Sequence, residues 1–345
     1  MLRTGVLFIN EFAPDRWRDL AQAAEALGYN YLWQADERFF REVYSGLTFA
    51  AVHTSRIALG PCVTDPYSRH PALTAMAVAT LDELSGGRAV LVLGAGKSGF
   101  GELGITRHKP ARAIREAIEL IRRLWRGEIA SLDGEVIHFH DGRLNFAARP
   151  DMRIFVASEG PATLRMAGEV ADGVIIGSAA SEATLRPALR HVEQGLADAG
   201  RSRAQLEIGV RLDACLADDA LVARRALKPI LLRMLLRYKP DYGPFLTAGL
   251  ELPPDLRRWL EAFDYRGFSR EREKVEAAAE IVPDEFIAPF CLAGSPAEVG
   301  AQLRQLQTLG INHVTIYPVP AAGDTLESAL RLFAGQALPL AGSAD

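Results

Sequence analysis

Two adjacent carboxylates, Asp36 and Glu37, follow a short apolar segment that predicts a β-strand. In barrels and open sheets of parallel strands, side chains just beyond the carboxyl ends of the strands meet the substrate. A carboxylate in that position serves as a general acid or as a hydrogen-bond acceptor. The alternative is an ion pair with a neighbouring arginine, Arg38 or Arg41. Both interpretations stay open, and Asp36 and Glu37 are the predicted catalytic residues.

A glycine-rich segment, Gly94-Ala95-Gly96-Lys97-Ser98-Gly99, satisfies the pattern GxGxxG directly after another predicted strand. In a Rossmann dinucleotide site this pattern opens a helix at once, whereas here the next predicted helix begins near Pro110. A P-loop is excluded because Leu91 occupies the position of its first glycine. Glycines at a strand end still indicate a close approach of backbone or ligand. Gly94 and Gly96 are therefore predicted ligand contacts, with a structural turn as the alternative.

A third candidate is the segment Ser158-Glu159-Gly160-Pro161-Ala162, which joins a predicted strand to a predicted helix. The free N–H groups of a helix N-terminus bind phosphate without a cationic side chain. The alternative is ordinary capping of the helix by Ser158. Gly177 and Ser178 follow the next strand and are predicted to close the same pocket. Phosphate sites of barrels more often follow the last two strands, which argues against this placement.

Cysteine and histidine chemistry is not indicated. Cys62 lies at the end of the third predicted strand, and a nucleophilic cysteine needs a partnering histidine. His70 is near in sequence, but no hydrolase pattern surrounds the pair, so a buried small side chain is the favoured interpretation. The seven histidines lack metal-ligand spacing such as HExxH, and the three cysteines are widely separated. No metal site is predicted.

Composition narrows the class of protein. The chain has 345 residues, of which 49% are hydrophobic and 24% charged, as in globular proteins. A net charge of -4 argues against a nucleic-acid binder, whose electrostatic footprint is basic. No apolar run reaches the length of a membrane span, and no signal-peptide pattern is present. We expect a cytoplasmic enzyme that acts on a small-molecule substrate and binds neither nucleic acid nor membrane.

The elements that must position these residues alternate between short apolar runs and amphipathic stretches. Eight strands separated by helices predict an α/β fold, a (β/α)8 TIM barrel with insertions. A doubly wound open sheet is the competing architecture, but no linker or change in composition divides the chain, so we predict one domain over residues 1–345. The predicted strands are residues 5–9, 31–35, 57–63, 89–93, 154–157, 174–176, 206–215 and 313–317.

Two segments interrupt the alternation. Residues 130–146 contain the pairs Asp133-Gly134 and Asp141-Gly142, which predict turns in a small β-excursion. The largest insertion, residues 218–310, separates the seventh and eighth strands. It contains several helical pieces and an irregular loop at residues 240–245. An insertion near the catalytic face forms either a substrate lid or additional helical packing.

Several motifs together resemble a known family. They are residues 57–71 (IALGPCVTDPYSRHP), 80–88, 94–96, 167–173 and 293–298. These motifs closely resemble the bacterial luciferase-like superfamily, and within it the branch of coenzyme F420-dependent methylenetetrahydromethanopterin reductase. The resemblance covers nearly the whole chain. It implies a (β/α)8 barrel that binds a flavin or deazaflavin at its C-terminal face, and a homo-oligomer, with a dimer favoured.

The resemblance also implies particular site residues. It implies a non-prolyl cis peptide between Cys62 and Val63 that backs the cofactor ring, and it matches Asp36 to an active-site carboxylate. The resemblance also implies two acidic residues of the methanopterin reductases that are missing here: Leu7 replaces one on the first strand, and residues 94–98 after the fourth strand contain no counterpart of the other. The implied cofactor-binding residues are Asp36, Cys62, Val63, Thr64, Gly94, Gly96, Ser158, Glu159, Gly160, Pro161, Gly177 and Ser178.

Three functions remain at this point. The first is a reductase that transfers a hydride from reduced F420 to an activated double bond, with a side chain supplying the proton. The second is an FMN-dependent monooxygenase of the same superfamily. The third, from a different class, is a barrel that binds a flavin without catalysis. The sequence does not identify the substrate.

Overall fold

The computed structural model describes residues 2–96, 98–264 and 268–342. Within these residues the chain forms two compact units. The first comprises Arg3–Gly177 and Ala188–Gly209, and the second comprises Leu2, Ser178–Pro187 and the described part of Val210–Asp345. A single domain over residues 1–345 stays a prediction.

The first unit is built on a parallel sheet whose strands run in the order β1-β2-β3-β4-β7-β8. Its central strands are mostly apolar and buried because helices cover them, as expected for a parallel sheet, with Gln34 and Thr64 as buried polar exceptions. A separate antiparallel pair, β5 and β6, follows the fourth helix. The strands are β1 (Arg3–Ile9), β2 (Tyr31–Ala35), β3 (Ala58–Thr64), β4 (Leu91–Leu93), β5 (Ala130–Asp133), β6 (His138–Gly142), β7 (Ile154–Ser158) and β8 (Gly173–Gly177).

Helices alternate with these strands, as the sequence predicts. Four of them begin with proline, which suits the first helical position because its missing N–H would have no helical partner there. Gly86 directly follows the third helix and terminates it, and its φ of 69° is the left-handed conformation that favours glycine. The helices are α1 (Pro14–Ala26), α2 (Val43–Val52), α3 (Pro71–Ser85), α4 (Pro110–Trp125), α5 (Pro161–Val170) and α6 (Glu182–Asp198), of which the last lies mostly in this unit, with a 3-10 turn at Arg203–Gln205.

The predicted β-excursion is the hairpin of β5 and β6. Glu116 of α4 stabilises its turn, because the carboxylate accepts the N–H groups of Glu135, Val136 and Ile137 at 2.8–3.0 Å. The second predicted turn, at Asp141-Gly142, is wrong. Both residues belong to β6, because Gly142 pairs with Ala130 and continues the ladder.

The parallel arrangement brings five separate chain segments to one edge of the first unit. Adjacent strands β2, β3, β4, β7 and β8 all end at this edge, because parallel neighbours share their direction. The residues at or just after these ends are Asp36, Thr64, Gly94, Ser158 and Gly177. We call this set the carboxyl edge.

Polar side chains occupy the opposite ends of the same strands. Glu207 is buried and accepts hydrogen bonds from Arg3 at 2.9 Å, Arg153 at 2.8 Å and the Tyr31 hydroxyl at 3.0 Å. A buried carboxylate needs such partners, because removing it from water is costly. This cluster ties the beginnings of β1 and β2 to the chain just before β7.

The second unit contains β9 (Glu207–Leu216), most of which lies in this unit, β10 (Cys291–Gly294) and β11 (His313–Pro318). β10 lies parallel beside β9, and β11 lies on the other side of β9. The sequence did not predict β10, because four residues carry too little periodicity. The helices are α7 (Ala220–Arg237), α8 (Gly243–Thr247), α9 (Pro254–Ala262), α10 (Phe268–Ala278), α11 (Pro296–Thr308), α12 (Leu326–Leu332) and α13 (Leu338–Gly342), with 3-10 turns at Ala279–Ile281 and Asp284–Phe286 and a π-turn at Phe333–Ala337.

The helices between β9 and β11 have a core of their own, which includes Leu231, Leu235, Phe245, Phe286 and Phe290. The predicted irregular loop at residues 240–245 is partly wrong. Its last three residues begin α8, because the proline at the first helical turn is compatible with helix and Phe245 is fully buried in this core. A lid function for the segment stays a prediction. Across the described ranges, no helix is both long enough and apolar enough to cross a membrane.

Glu25 of α1 joins that helix to the loop before β3. Its Oε2 accepts the N–H groups of Arg56 at 2.6 Å and of Ser55 and Ile57 at 2.9 Å. Burial acts to raise the pKa of Glu25, but the hydrogen bonds from these N–H groups outweigh it and lower the pKa to about 2. The folded-state pKa therefore lies below the ordinary value of 4.5. The resulting stabilisation is present above pH 4.5 and is lost as the pH falls towards 2.

We predict that Glu25→Gln lowers the free energy of unfolding at pH 7 by about 1–2 kcal/mol, since a neutral amide accepts these N–H groups less strongly. Urea unfolding between pH 7 and pH 2.5 measures the effect, with the exposed Glu83→Gln as the control. The difference from the wild type should shrink below pH 4.5. A difference that is absent at pH 7, or constant across this range, contradicts the prediction.

Candidate functional site

Asp36 is the first residue after β2, and Thr64 is the last residue of β3. The Thr64 hydroxyl donates a hydrogen bond to Asp36 Oδ2 at 2.7 Å. Burial raises the pKa of Asp36, and the Thr64 hydrogen bond and the charges of Arg69 and Arg38 offset this only in part. A carboxyl group with a raised pKa at the mouth of parallel strands is suited to general-acid chemistry.

Glu37 has a different environment from Asp36. It accepts a hydrogen bond from the Ser98 hydroxyl, which belongs to the loop after β4. In the part of the chain that the structure describes, no ion pair joins Glu37 to Arg38 or Arg41, so this alternative is wrong for Glu37, and both arginines have other partners. Arg38 pairs with Asp65, and Arg41 donates to the main-chain carbonyl of Glu11 at 2.8 Å. Glu37 thus links two loops of the carboxyl edge, and a catalytic role for it stays a prediction.

The Arg38–Asp65 ion pair is the most deeply buried charged contact of this edge, with side chains 10% and 1% exposed. Asp65 also accepts the N–H groups of Tyr67 and Ser68, each at 2.8 Å, and the Ser68 hydroxyl at 2.7 Å. The Arg38 guanidinium carbon lies 3.9 Å from the centroid of the Phe100 ring, a cation–π contact. One pair of side chains therefore joins the loops after β2, β3 and β4. From the sequence, Arg38 is predicted only as a possible carboxylate partner, and Asp65 is not singled out.

The peptide bond between Cys62 and Val63 is cis, as the family resemblance implies. Cys62 is buried, in agreement with its interpretation as a small apolar side chain. Gly94 lies directly against Val63: a Cβ on Gly94 would come within 2.9 Å of Val63 Cγ2. The Gly94 N–H also donates to the Thr64 carbonyl at 3.0 Å. A glycine is thus required here by the neighbouring strand, and contact of Cys62, Val63 or Gly94 with a cofactor stays a prediction.

The other glycines of the GxGxxG pattern are likewise explained by protein contacts. Gly96 and Gly99 have φ values of 66° and 72°, which favour glycine. A Cβ on Gly96 would lie 2.8 Å from the Phe100 ring, and one on Gly99 would lie 2.7 Å from Arg38 Cβ. The loop can therefore follow Arg38 closely only with glycine at these positions. Lys97 lies outside the described residues, and contact of Gly96 with a ligand stays a prediction.

The beginning of α5 is open to a ligand. The Ser158 hydroxyl accepts the N–H of Gly160, the residue before the helix, at 3.0 Å. Among the described residues, no side chain accepts an N–H of the first helical turn, so the alternative in which Ser158 caps the helix is wrong. A Cβ on Gly160 would meet only the Ser158 hydroxyl, at 3.8 Å. The first-turn N–H groups after Pro161 have no side-chain cap, and the space beside Gly160 is open. These features fit an anion such as a phosphate.

Glu159 and the end of β8 complete this region. A Cβ on Gly177 would lie 2.6 Å from Glu159 Oε1, so the carboxylate lies across the end of β8. A carboxylate does not bind phosphate, so any phosphate binding here rests on the N–H groups of α5. Ser178 belongs to the second unit, has a φ of 48° and donates its N–H to the Arg211 carbonyl at 3.0 Å. That Gly177 and Ser178 close the pocket predicted at residues 158–162 stays a prediction.

Tyr44 of α2 is a further buried group near the carboxyl edge that the sequence did not indicate. Its ring is covered by the Arg69 guanidinium, whose carbon lies 4.8 Å from the ring centroid, and Arg69 pairs with Glu42 at 2.9 Å. Burial raises the pKa of Tyr44, and the negative charge of Asp36 adds to this effect. Among the described residues, no group of three or more histidine, cysteine or acidic side chains could hold a metal ion.

The chain is similar to known proteins in sequence. A family model described as "Luciferase-like monooxygenase" matches residues 2–313. The 5,10-methylenetetrahydromethanopterin reductase of Archaeoglobus fulgidus is 34% identical over 323 residues, covering 88% of this chain and 91% of that protein. An F420-dependent glucose-6-phosphate dehydrogenase of Kineococcus radiotolerans is 32% identical over 280 residues, covering 74% and 81% respectively.

The chain also resembles solved structures in its fold. The coenzyme F420-dependent tetrahydromethanopterin reductase of Methanopyrus kandleri aligns with a TM-score of 0.86 and 26% identity, over 98% of this chain and 99% of that one. This likeness confirms the predicted α/β, TIM-barrel-like fold. The family model and the relatives also confirm the resemblance carried by the sequence motifs. The chain therefore belongs to the luciferase-like monooxygenase family and is one of its flavin- or F420-dependent oxidoreductases.

Proposed function

We propose that this protein transfers a hydride from reduced coenzyme F420 to an activated C=C, C=N or C=O bond of a small-molecule substrate. The observation that carries the proposal is Asp36, a carboxyl group at the carboxyl edge whose pKa is raised chiefly by burial. The relatives support the choice of cofactor, since the Kineococcus radiotolerans dehydrogenase and the Methanopyrus kandleri reductase are both described as F420-dependent.

The residues of the carboxyl edge fit such a cofactor. F420 carries a phosphate on the chain attached to its ring, and the uncapped first turn of α5 beside Gly160 offers N–H groups and open space for it. When bound, reduced F420 supplies a hydride from C5 of the deazaflavin ring. The remaining tasks, which are orientation, exclusion of water and proton supply, belong to the protein.

Asp36 is the residue we propose for proton supply. Leu7 of β1 is buried and apolar, at the position where the family resemblance implies an acid in the methanopterin reductases. The described loop residues Gly94–Gly96 and Ser98 likewise carry no acid. Other carboxylates near the strand ends have contacts of their own: Asp65 pairs with Arg38, and Glu159 lies across the end of β8. Glu37 accepts a hydrogen bond from Ser98, which leaves Asp36 as our candidate. Because a general acid must be protonated, activity should fall as the pH rises through the pKa of Asp36, and the raised pKa extends activity towards neutral pH.

An FMN-dependent monooxygenase is the second candidate, and the description of the matching family favours it. FMN also carries a terminal phosphate, which the first turn of α5 fits equally well. The two candidates differ in the ring that binds and in whether oxygen is consumed. Turnover that needs O2 and FMN, and that fails with F420, would support the monooxygenase.

We predict that Gly160→Val weakens F420 binding by about 100-fold, because the branched side chain fills the space where the phosphate would lie. Equilibrium dialysis or fluorescence titration measures the affinity. Gly160 has φ −85° and ψ 135°, which valine adopts readily, so the fold should be retained. Gly243→Val is the matched control, since Gly243 also lies at a helix start with open space around it. Equal affinities in the two variants would remove the α5 site from the proposal.

We predict that Asp36→Asn slows oxidation of bound reduced F420 by about 100-fold while changing cofactor affinity little, because an amide preserves shape but cannot supply the proton. Stopped-flow absorbance measures this rate. The substrate is the first compound, from a panel of iminium ions, enones and ketones, that oxidises the reduced cofactor. Glu37→Gln should have a much smaller effect. A wild-type rate in Asp36→Asn would show that the proton comes from elsewhere and would overturn this role for Asp36.

A further inference from the structure

Thr64 is held at the carboxyl edge by both its main chain and its side chain. Its carbonyl accepts the Gly94 N–H at 3.0 Å, which joins the end of β3 to the residue after β4. Its hydroxyl donates to Asp36 Oδ2 at 2.7 Å, and the residue is completely buried. The main-chain hydrogen bond and burial therefore hold the Thr64 hydroxyl in place, and its hydrogen bond to Oδ2 orients the Asp36 carboxyl group.

Building on the proposed function, we propose that Thr64 is a positioning residue that occupies Oδ2 of Asp36 and leaves Oδ1 as the oxygen that carries and donates the proton. In a neutral carboxyl group the carbonyl oxygen is the better hydrogen-bond acceptor, and the other oxygen bears the hydrogen. Since Thr64 donates to Oδ2, the hydrogen belongs on Oδ1.

The same hydrogen bond favours loss of that proton. When the Oδ1–H bond breaks, the proton passes to the reduced substrate atom and the bonding electrons remain on Asp36 as a carboxylate. Thr64 keeps its own proton, and its hydrogen bond becomes charge-assisted and stronger. Negative charge already develops on Asp36 in the transition state, so Thr64 stabilises the transition state more than the neutral acid, and this accelerates the step.

The other charged groups around Asp36 have partners of their own. Arg38 pairs with Asp65, and Arg69 pairs with Glu42. Both arginines lower the pKa of Asp36 from a distance, and Asp65 raises it. Within the part of the chain that the structure describes, the side-chain hydrogen bond to the Asp36 carboxyl group comes from Thr64.

Tyr44 supplies a natural comparison. Its hydroxyl is also buried, interacts electrostatically with Asp36 and lies near the hydroxyls of Thr64 and Thr74, but the side-chain hydrogen bond to Asp36 comes from Thr64. If general polarity around Asp36 were decisive, removing either hydroxyl would have a similar effect. If the hydrogen bond is decisive, only the removal of the Thr64 hydroxyl matters.

The test is a carbon-13 NMR titration of the aspartate side-chain carboxyls in the cofactor-free protein. The Asp36 signal is identified by its absence in Asp36→Asn. We expect Thr64→Val, which keeps the shape of the side chain, to raise the pKa of Asp36, because the carboxylate loses its donor. Thr64→Ser should restore the wild-type titration, and Tyr44→Phe should leave it nearly unchanged. An unshifted titration in Thr64→Val, or an equal rise in Tyr44→Phe, would overturn the proposal.

Kinetics separate this proposal from the function on which it rests. With a substrate in hand, Thr64→Val should slow cofactor oxidation about tenfold and move the high-pH loss of activity to higher pH, with rescue by Thr64→Ser. If Asp36→Asn retains its rate, the proposed role of Asp36 fails, and the Oδ1 assignment fails with it, whatever the titration shows. If Asp36→Asn is slow but Thr64→Val behaves as the wild type in both measurements, the proposed function stands and the positioning role is wrong.

Discussion

The buried ion pair of Arg38 and Asp65 is the contact on which the arrangement of the carboxyl edge depends. Asp65 is 1% exposed, so leaving it without a cation would cost about 3–5 kcal/mol. The pair joins the loop after β2 to the loop after β3. Arg38 also contacts Phe100, and this contact positions the loop after β4. Gly96 and Gly99 follow from the same constraint, because side chains there would collide with Phe100 or Arg38.

Much of the fold could be predicted because its signals are local. The alternation of apolar runs with amphipathic stretches gave strands and helices, and prolines marked where helices such as α3 and α4 begin. The errors occur where pairing with a distant segment overrides a local signal. Asp141-Gly142 has the composition of a turn, but pairing with Ala130 keeps it in a strand. β10 is too short to be recognised without β9 beside it.

The site was predictable only in outline. Strand ends pointed to Asp36 and to the start of α5, since parallel strands bring their carboxyl ends together. The partners of these residues could not be predicted, because Asp36 and Thr64 lie 28 residues apart and Arg38 and Asp65 lie 27 apart. Such contacts depend on the register of β2 against β3, for which a single sequence contains no signal. The GxGxxG pattern illustrates the same limit: its composition suggests a ligand, while its glycines accommodate Val63, Phe100 and Arg38.

The proposed chemistry requires that this protein binds F420 rather than FMN. The most direct measurement is a fluorescence titration of the purified protein with each cofactor, followed by competition between them. We expect saturable binding of F420 with an affinity in the micromolar range, which equal concentrations of FMN do not displace, and loss of that binding when the start of α5 is blocked. Tight binding of FMN together with no binding of F420 would contradict the account.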